Sequence, residues 1–344
     1  MGARIDSFRF SEDKQFQRYK NTLYQFQKIT KSYALFQMGF FSLFAFEILV
    51  FGLFFPFFTQ SSFTAIILGA MALSVFTYFV IWFYFQTKKP IDLSTLLERF
   101  LESCRQVTPS PHGAAEHHLS MAQSALRLVA HLQDFEYTYY QAPTWLKISS
   151  VWVRKISHFF HRADVFSMKE KLLMAAIEEH IEQIKVTPTD LEVHASLANV
   201  YVLLAKLYQE AKKEGDFFPM LPKRKEEIIL ERKFQFSSQR AIEELTILSD
   251  YAPSDPWVHS QLAQCYRTLG KKEKEAQQYE KMIKLSPNDS EMYFRLGVLY
   301  FELGFNAKGL RIFEELKKRN YQKISELLSF YGSAQPLEMA DSNF

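Results

Sequence analysis

His158, His161 and Asp164 recur at intervals of three, a spacing that on a helix brings three metal-ligating side chains to one face. His117-His118 supplies a second pair of imidazoles. Neither set has a cysteine beside it and no HExxH stretch occurs, so both are read as surface or interhelical histidines; no metal or other cofactor is expected. Glu47 is another candidate, a lone carboxylate inside a long apolar stretch, where it is costly unless neutralised or partnered. It could serve a proton relay or a substrate path. It could instead be a neutral carboxyl bonded to Ser74, Thr77 or Tyr78 of a neighbouring helix, or to a second copy of the chain. One acid leaves little from which to build a path, and the second use is preferred.

The 344 residues contain no GxxxxGK[ST] or GxGxxG phosphate loop and no GxSxG elbow. With no catalytic constellation, the chain is read as non-enzymatic. Cys104 and Cys265 are too few for a disulfide framework. The net charge of +3 has an uneven source: residues 1–33 hold seven Lys/Arg against three Asp/Glu, which leaves the remainder near neutrality. No broad basic face points to nucleic acid.

The element that carries Glu47 is the first of two apolar stretches. Ala34–Phe58 is 25 residues with Glu47 as its one charge, and Phe63–Phe85 is 23 residues with none. Both exceed the roughly 20 residues needed to cross the hydrocarbon core. Only Thr59–Ser62 separates them, so the spacing predicts a two-span hairpin over 34–86, ended by Pro56 and by Lys88-Lys89-Pro90. A second span follows too closely for the first to be a cleaved signal. Lys and Arg flank the outer ends and are missing from the loop, which places both termini in the cytoplasm. Before the hairpin, Phe16, Tyr19, Leu23, Phe26, Ile29 and Tyr33 keep helix periodicity among basic residues; a basic amphipathic helix over 1–33 would lie along an anionic leaflet.

Downstream, one pattern occurs twice in register, with Pro253 and Pro287 one 34-residue period apart. The second copy has Tyr293, Leu296, Gly297, Tyr300, Gly304, Gly309 and Phe313 at positions 4, 7, 8, 11, 15, 20 and 24. The first has His259, Leu262, Ala263, Tyr266, Gly270, Glu275 and Tyr279 at the same places. An earlier copy is split. Its first helix carries His194, Leu197, Ala198 and Tyr201, its second Ala241, Leu245 and Leu248, with an insert of 31 residues between the halves. The insert implies two helices each overlong by roughly 10 residues, about 15 Å of extra hairpin. Its turn, within 214–224, bears an apolar tip at Phe217–Leu221 that could dock on a membrane surface or a partner, or fold back.

These residues resemble the tetratricopeptide repeat family, whose pattern is a large aromatic, Leu, Gly/Ala and Tyr on the first helix, then Ala, an aromatic and Pro. The departures are His259 at position 4, and Glu275 and Gly309 where a small Ala is usual. Resemblance implies an all-α solenoid over 169–320 whose concave face is lined by first-helix residues. Here those include Asn199, Trp257, Gln264, Arg267, Phe294, Val298, Phe301 and Glu302. Relatives that clamp a terminal carboxylate use Lys at position 5 and Asn at position 9; only Asn199 matches. The face is instead an apolar floor with Arg267 and Glu302 beside it, suited to an amphipathic helix or an apolar peptide, or filled by the chain's own C-terminal helix.

The rest is read as a linker with a short helix over 87–113, a divergent helical cap over 114–168, a capping helix over 321–331 and a disordered tail over 332–344. The expectation is a membrane-anchored scaffold or adaptor, multi-pass in a bacterial inner membrane, that gathers a protein partner at the cytoplasmic face. Its oligomeric state is left open. A second expectation follows from the hairpin, which resembles those of inclusion-membrane proteins that intracellular bacteria inject into a host vacuole membrane; the repeats would then face host cytosol.

Overall fold

Each described element is helical, with no strand among the described residues. The structure, a computed structural model, describes residues 2–58, 63–108, 110–111, 113–140, 150–215 and 222–332, without side chains for 2–15, 54–58, 63–64 and 150. The hairpin loop 59–62, the expected apolar tip Phe217–Leu221 and the tail 333–344 lie outside the described residues. The helices are α1 (Gly2–Phe58), α2 (Phe63–Arg105), α3 (Ala115–His131), α4 (Ser150–Val186), α5 (Leu191–Glu214), α6 (Lys223–Tyr251), α7 (Pro256–Thr268), α8 (Lys272–Leu285), α9 (Ser290–Glu302), α10 (Asn306–Lys318) and α11 (Ile324–Leu328). They divide into two units, Met1–Val186 with Gly215–Glu226, and Thr187–Glu214 with Glu227–Phe344.

In the first unit α1 is one helix through both the basic segment and the apolar one. From Tyr19 on, the basic segment turns its apolar stripe inward, although Phe16 before it is exposed. Tyr19 and Phe26 are buried, with Tyr19 against Phe100 at 5.9 Å and Phe26 against Phe135 at 6.2 Å. A stripe covered by protein cannot also lie along a leaflet, and the expectation of an interfacial helix is corrected over Tyr19–Tyr33. Lys88-Lys89-Pro90 does not end α2 either: Pro90 lies inside it. Beyond the proline, Leu93, Leu96, Phe100 and Cys104 repeat at helical spacing and are buried, so tertiary packing carries the helix past a local stop signal. Likewise α4 runs unbroken from Ser150 to Val186, across the boundary expected at 168/169 between the helical cap and the repeats.

Two stretches, within Phe16–Leu53 and Ala65–Arg105, are long and apolar enough to cross a membrane. Phe46, Leu53, Ile66, Leu73 and Phe76 along them are each 64–66% exposed, unlike the residues of a soluble core helix. Between the two helices Phe36, Phe40, Phe41 and Phe44 surround the Tyr78 ring at 5.5–6.5 Å. Ser74 donates to Glu47 Oε1 at 2.7 Å.

In the second unit α5 has 24 residues and α6 29, against 13 and 14 in α7 and α8. Helix ends repeat along the chain. Asp255 and Asp289 cap α7 and α9 by accepting from Trp257 and Glu291 N–H at 2.9 and 3.0 Å. Gly270 (φ +68°) and Gly304 (φ +78°) then take the left-handed turn. The amides that follow, of Lys271 and Phe305, bond back to the Tyr266 and Tyr300 carbonyls at 2.9 and 2.8 Å.

Candidate partner-binding face

The repeat framework brings Leu197, Ala198, Tyr201, Ala241, Leu262, Ala263, Tyr266, Leu296, Gly297 and Tyr300 into the buried interior, with Tyr279 and Phe313 half-buried beside it. Small residues at position 8 let elements approach. A Cβ added to Gly297 would stand 3.0 Å from Leu327 and 3.1 Å from Ile312.

Each departure from the family pattern has a physical counterpart. His194 and His259, both at position 4, reach the carbonyl six residues earlier, of Pro188 at 3.1 Å and Pro253 at 2.9 Å. Their other ring nitrogens meet Glu244 at 2.6 Å and Gln278 at 2.9 Å. Glu244 and Gln278 occupy one repeat position, 23, so the pairing recurs. His194 faces two acceptors, which favours the doubly protonated ring. Burial alone would depress its pKa, but the bonds to Glu244 and the Pro188 carbonyl outweigh burial and raise it above the usual histidine value. In the next copy Tyr293 stands at position 4, and the Arg319 guanidinium, 4.3 Å over its ring, bonds the Pro287 carbonyl instead.

Glu275, at a position usually held by Ala, is buried between Arg267 at 2.8 Å and Arg295 at 3.1 Å. Gly309, at the same position one repeat later, is needed because the Phe301 ring fills the space of an alanine Cβ, at 2.5–2.8 Å.

The expected concave residues separate into two groups. Asn199, Trp257 and Gln264 stand open, Trp257 with 44% of its surface exposed. Arg267 is exposed but engaged, bonded to Glu275 and Tyr279. Val298 and Phe301 do not form an open floor. They are buried with Leu316 and Leu327, and Phe294 is half-buried on Tyr321 at 5.8 Å. Helix α11 covers this end of the face because its Leu327, fully buried, fits the notch left by Gly297. Glu302 is half-buried, 3.4 Å from Lys272. The open face is thus narrower than expected, and centres on α7.

The histidines considered for metal binding are each taken by other groups. His161 is fully buried, stacked on Tyr139 at 3.7 Å and 3.0 Å from the Tyr140 hydroxyl. Burial, then the charges of Lys89 and Lys31, lower its pKa to about 3. Asp164 is ion-paired with Lys89, His158 stacks on Tyr137 at 4.7 Å, and His118 bonds Glu179 at 2.7 Å. Among the described residues no three His, Cys, Asp or Glu converge as metal ligands. Cys265 is a buried core thiol, its pKa pushed up to about 11 by burial.

A tetratricopeptide repeat family model matches residues 258–289. No curated protein matches the sequence. Sixteen chains of solved structure match; one is the crystal structure of a tetratricopeptide repeat protein from Parabacteroides merdae ATCC 43184. It is 16% identical over 72% of this chain and 94% of that one, with a TM-score of 0.24. Residues 258–289 therefore carry a tetratricopeptide repeat, which takes in α7 from Val258 onward, Gln264 included, and begins one residue after Trp257.

Proposed function

We propose that this protein is a membrane-anchored adaptor, which holds a protein partner on the first-helix face of its repeats. Residues 34–86 cross the bilayer as a two-helix hairpin, residues 169–320 form the repeat domain, and both termini lie on the cytoplasmic side. The observation that carries the reading is the open face of α7: Trp257 and Gln264 are exposed where repeats of this family bind proteins, beside the matched stretch 258–289. Trp is among the side chains most enriched at the energetic centres of interfaces. An apolar or amphipathic helix is the ligand that suits this face, since its one cation is already bonded within the protein.

Anchoring is supported by the exposed apolar length of α1 and α2 and by the basic flanks Lys31 and Lys88-Lys89. The experiment fractionates cells that express the full chain. The protein should stay in the membrane pellet through alkaline carbonate, and a partner should co-purify with it in mild detergent and be lost with Trp257→Ala. Release by carbonate would remove the anchor from the account; a partner retained by Trp257→Ala would remove the binding face.

A further inference from the structure

The first three turns of α4 end in an apolar stripe that nothing in the described residues covers. Trp152, Ile156 and Phe159 recur at helical spacing and are 64%, 47% and 66% exposed. No acidic residue occurs from Ser150 to Ala163, whereas Arg154 and Lys155 stand exposed beside the stripe. Arg154 lies over the Tyr137 ring at 5.4 Å and Lys155 over the Trp152 ring at 5.5 Å.

The position of this stripe along the hairpin is fixed within the first unit. Phe159 and Phe160 line a cleft of about 840 Å³ together with Gln37 and Phe41 of α1 and Trp82 and Gln86 of α2. Phe41 and Trp82 belong to the apolar stretches, and Gln37, Gln86 and the basic pair Lys88-Lys89 mark their ends. On the reading that α1 and α2 cross a bilayer, α4 meets them at the level where headgroups give way to acyl chains.

We infer that the N-terminal turns of α4 are a membrane-docking surface, which seats Trp152, Ile156 and Phe159 in the leaflet with Arg154 and Lys155 among anionic headgroups. An amphipathic face that enters the leaflet at that level sinks about 5–10 Å below the headgroups. Aromatic rings favour the same depth. The role expected of residues 1–33 thus falls to a helix whose apolar stripe is open. Because α4 is held by α3 and by the Lys89–Asp164 pair, docking would fix this unit's orientation against the bilayer in addition to tethering it.

The inference rests on the membrane reading, and the test separates the two. Full-length protein is reconstituted into vesicles of phosphatidylcholine with phosphatidylglycerol. A nitroxide is attached at Ile156→Cys, at Phe76→Cys in the apolar length of α2 and at Gln264→Cys on α7. Wild type, whose two cysteines are buried, gives the labelling background. Collision rates with oxygen and a water-soluble nickel chelate then report depth. The expected result is lipid contact at position 76, a depth of about 5–10 Å at 156 and water at 264. Arg154→Glu/Lys155→Glu should move position 156 toward water. Water at 156 with lipid at 76 overturns the docking surface, as does a 156 label shielded from both probes, which would mean a protein covers the stripe. An unchanged 156 in the charge-reversed protein overturns the headgroup contact, and water at 76 overturns the membrane reading itself.

Discussion

Gly309→Ala tests the packing of the last repeat, because two opposed effects of known size meet there. Alanine is the residue this repeat position usually holds, and in a helix interior it gains about 1 kcal/mol over glycine. The structure argues the other way. The added Cβ would stand 2.5, 2.7 and 2.8 Å from three atoms of the Phe301 ring. That is roughly 1 Å short of ordinary carbon–carbon contact. The ring has no exposed surface and is held by Val298, Leu316 and Leu327, so it cannot swing aside. Overpacking of this kind costs about 1–3 kcal/mol, and a stiff aromatic obstacle belongs in the upper part of that range. The net loss is about 1–2 kcal/mol. At about 2–4 °C per kcal/mol for a domain of this size, thermal unfolding of the full chain in detergent should fall by roughly 2–8 °C. Phe301→Leu opens the space, so the double variant Phe301→Leu/Gly309→Ala should lose less than the sum of the two. A Gly309→Ala protein that melts at or above wild type, or an additive double variant, would refute the packing argument.

Glu275→Ala also restores the usual small residue, yet it should destabilise. It removes the carboxylate, 2% exposed, that pairs Arg267 and Arg295; these are 38% and 32% exposed and can partly rehydrate. The loss should be about 2–3 kcal/mol, near the low end for breaking a buried pair, and urea unfolding would measure it. Two histidines should act on stability in opposite directions of pH. His194 has a raised pKa, so its contribution is complete below about pH 6.5 and fades as pH rises through its folded value; Glu244→Gln should flatten that limb. His161 is held neutral with a pKa of about 3. The unfolded chain takes up its proton first as pH falls below about 6.5, so stability declines from there toward pH 3. Melting curves across pH, compared with His161→Gln, check the sign. In the hairpin, a double-mutant cycle of Glu47→Leu with Ser74→Ala in detergent should show a coupling of about 0.6–1.7 kcal/mol, and no coupling would mean the bond between them is not formed.

Much of the repeat framework is legible in the sequence because it is local. Leu262, Tyr266, Leu296 and Tyr300 lie on one face by periodicity, and Gly270 and Gly304 mark turns that require a left-handed residue. The position-4 histidines could have been read as well: Glu244 and Gln278 share repeat position 23, one 34-residue period apart, and pair with His194 and His259. What was not legible depends on contacts between distant segments. Phe301 has the period of a groove residue; it is a core residue because Leu327, 26 positions later, settles over it. Lys88-Lys89-Pro90 reads locally as a stop, and only the burial of Leu93, Leu96 and Phe100 explains why α2 continues. The basic stripe near the N-terminus is amphipathic in the way an interfacial helix is. Its partner, the ring set of Phe100 and Phe135, is supplied from about 80 to 110 residues away, which periodicity cannot see.

The central claim is that α7 presents a protein-binding face at a membrane, and a photoreactive benzophenone side chain placed at Gln264 in the full chain tests it most directly. Irradiated in native membranes, Gln264 should give an adduct of one defined mass that disappears when Trp257→Ala is added. The same group at Gln277, exposed on the other helix of the repeat, should not give it. No intermolecular adduct at Gln264, or equal adducts at both positions, would contradict the account.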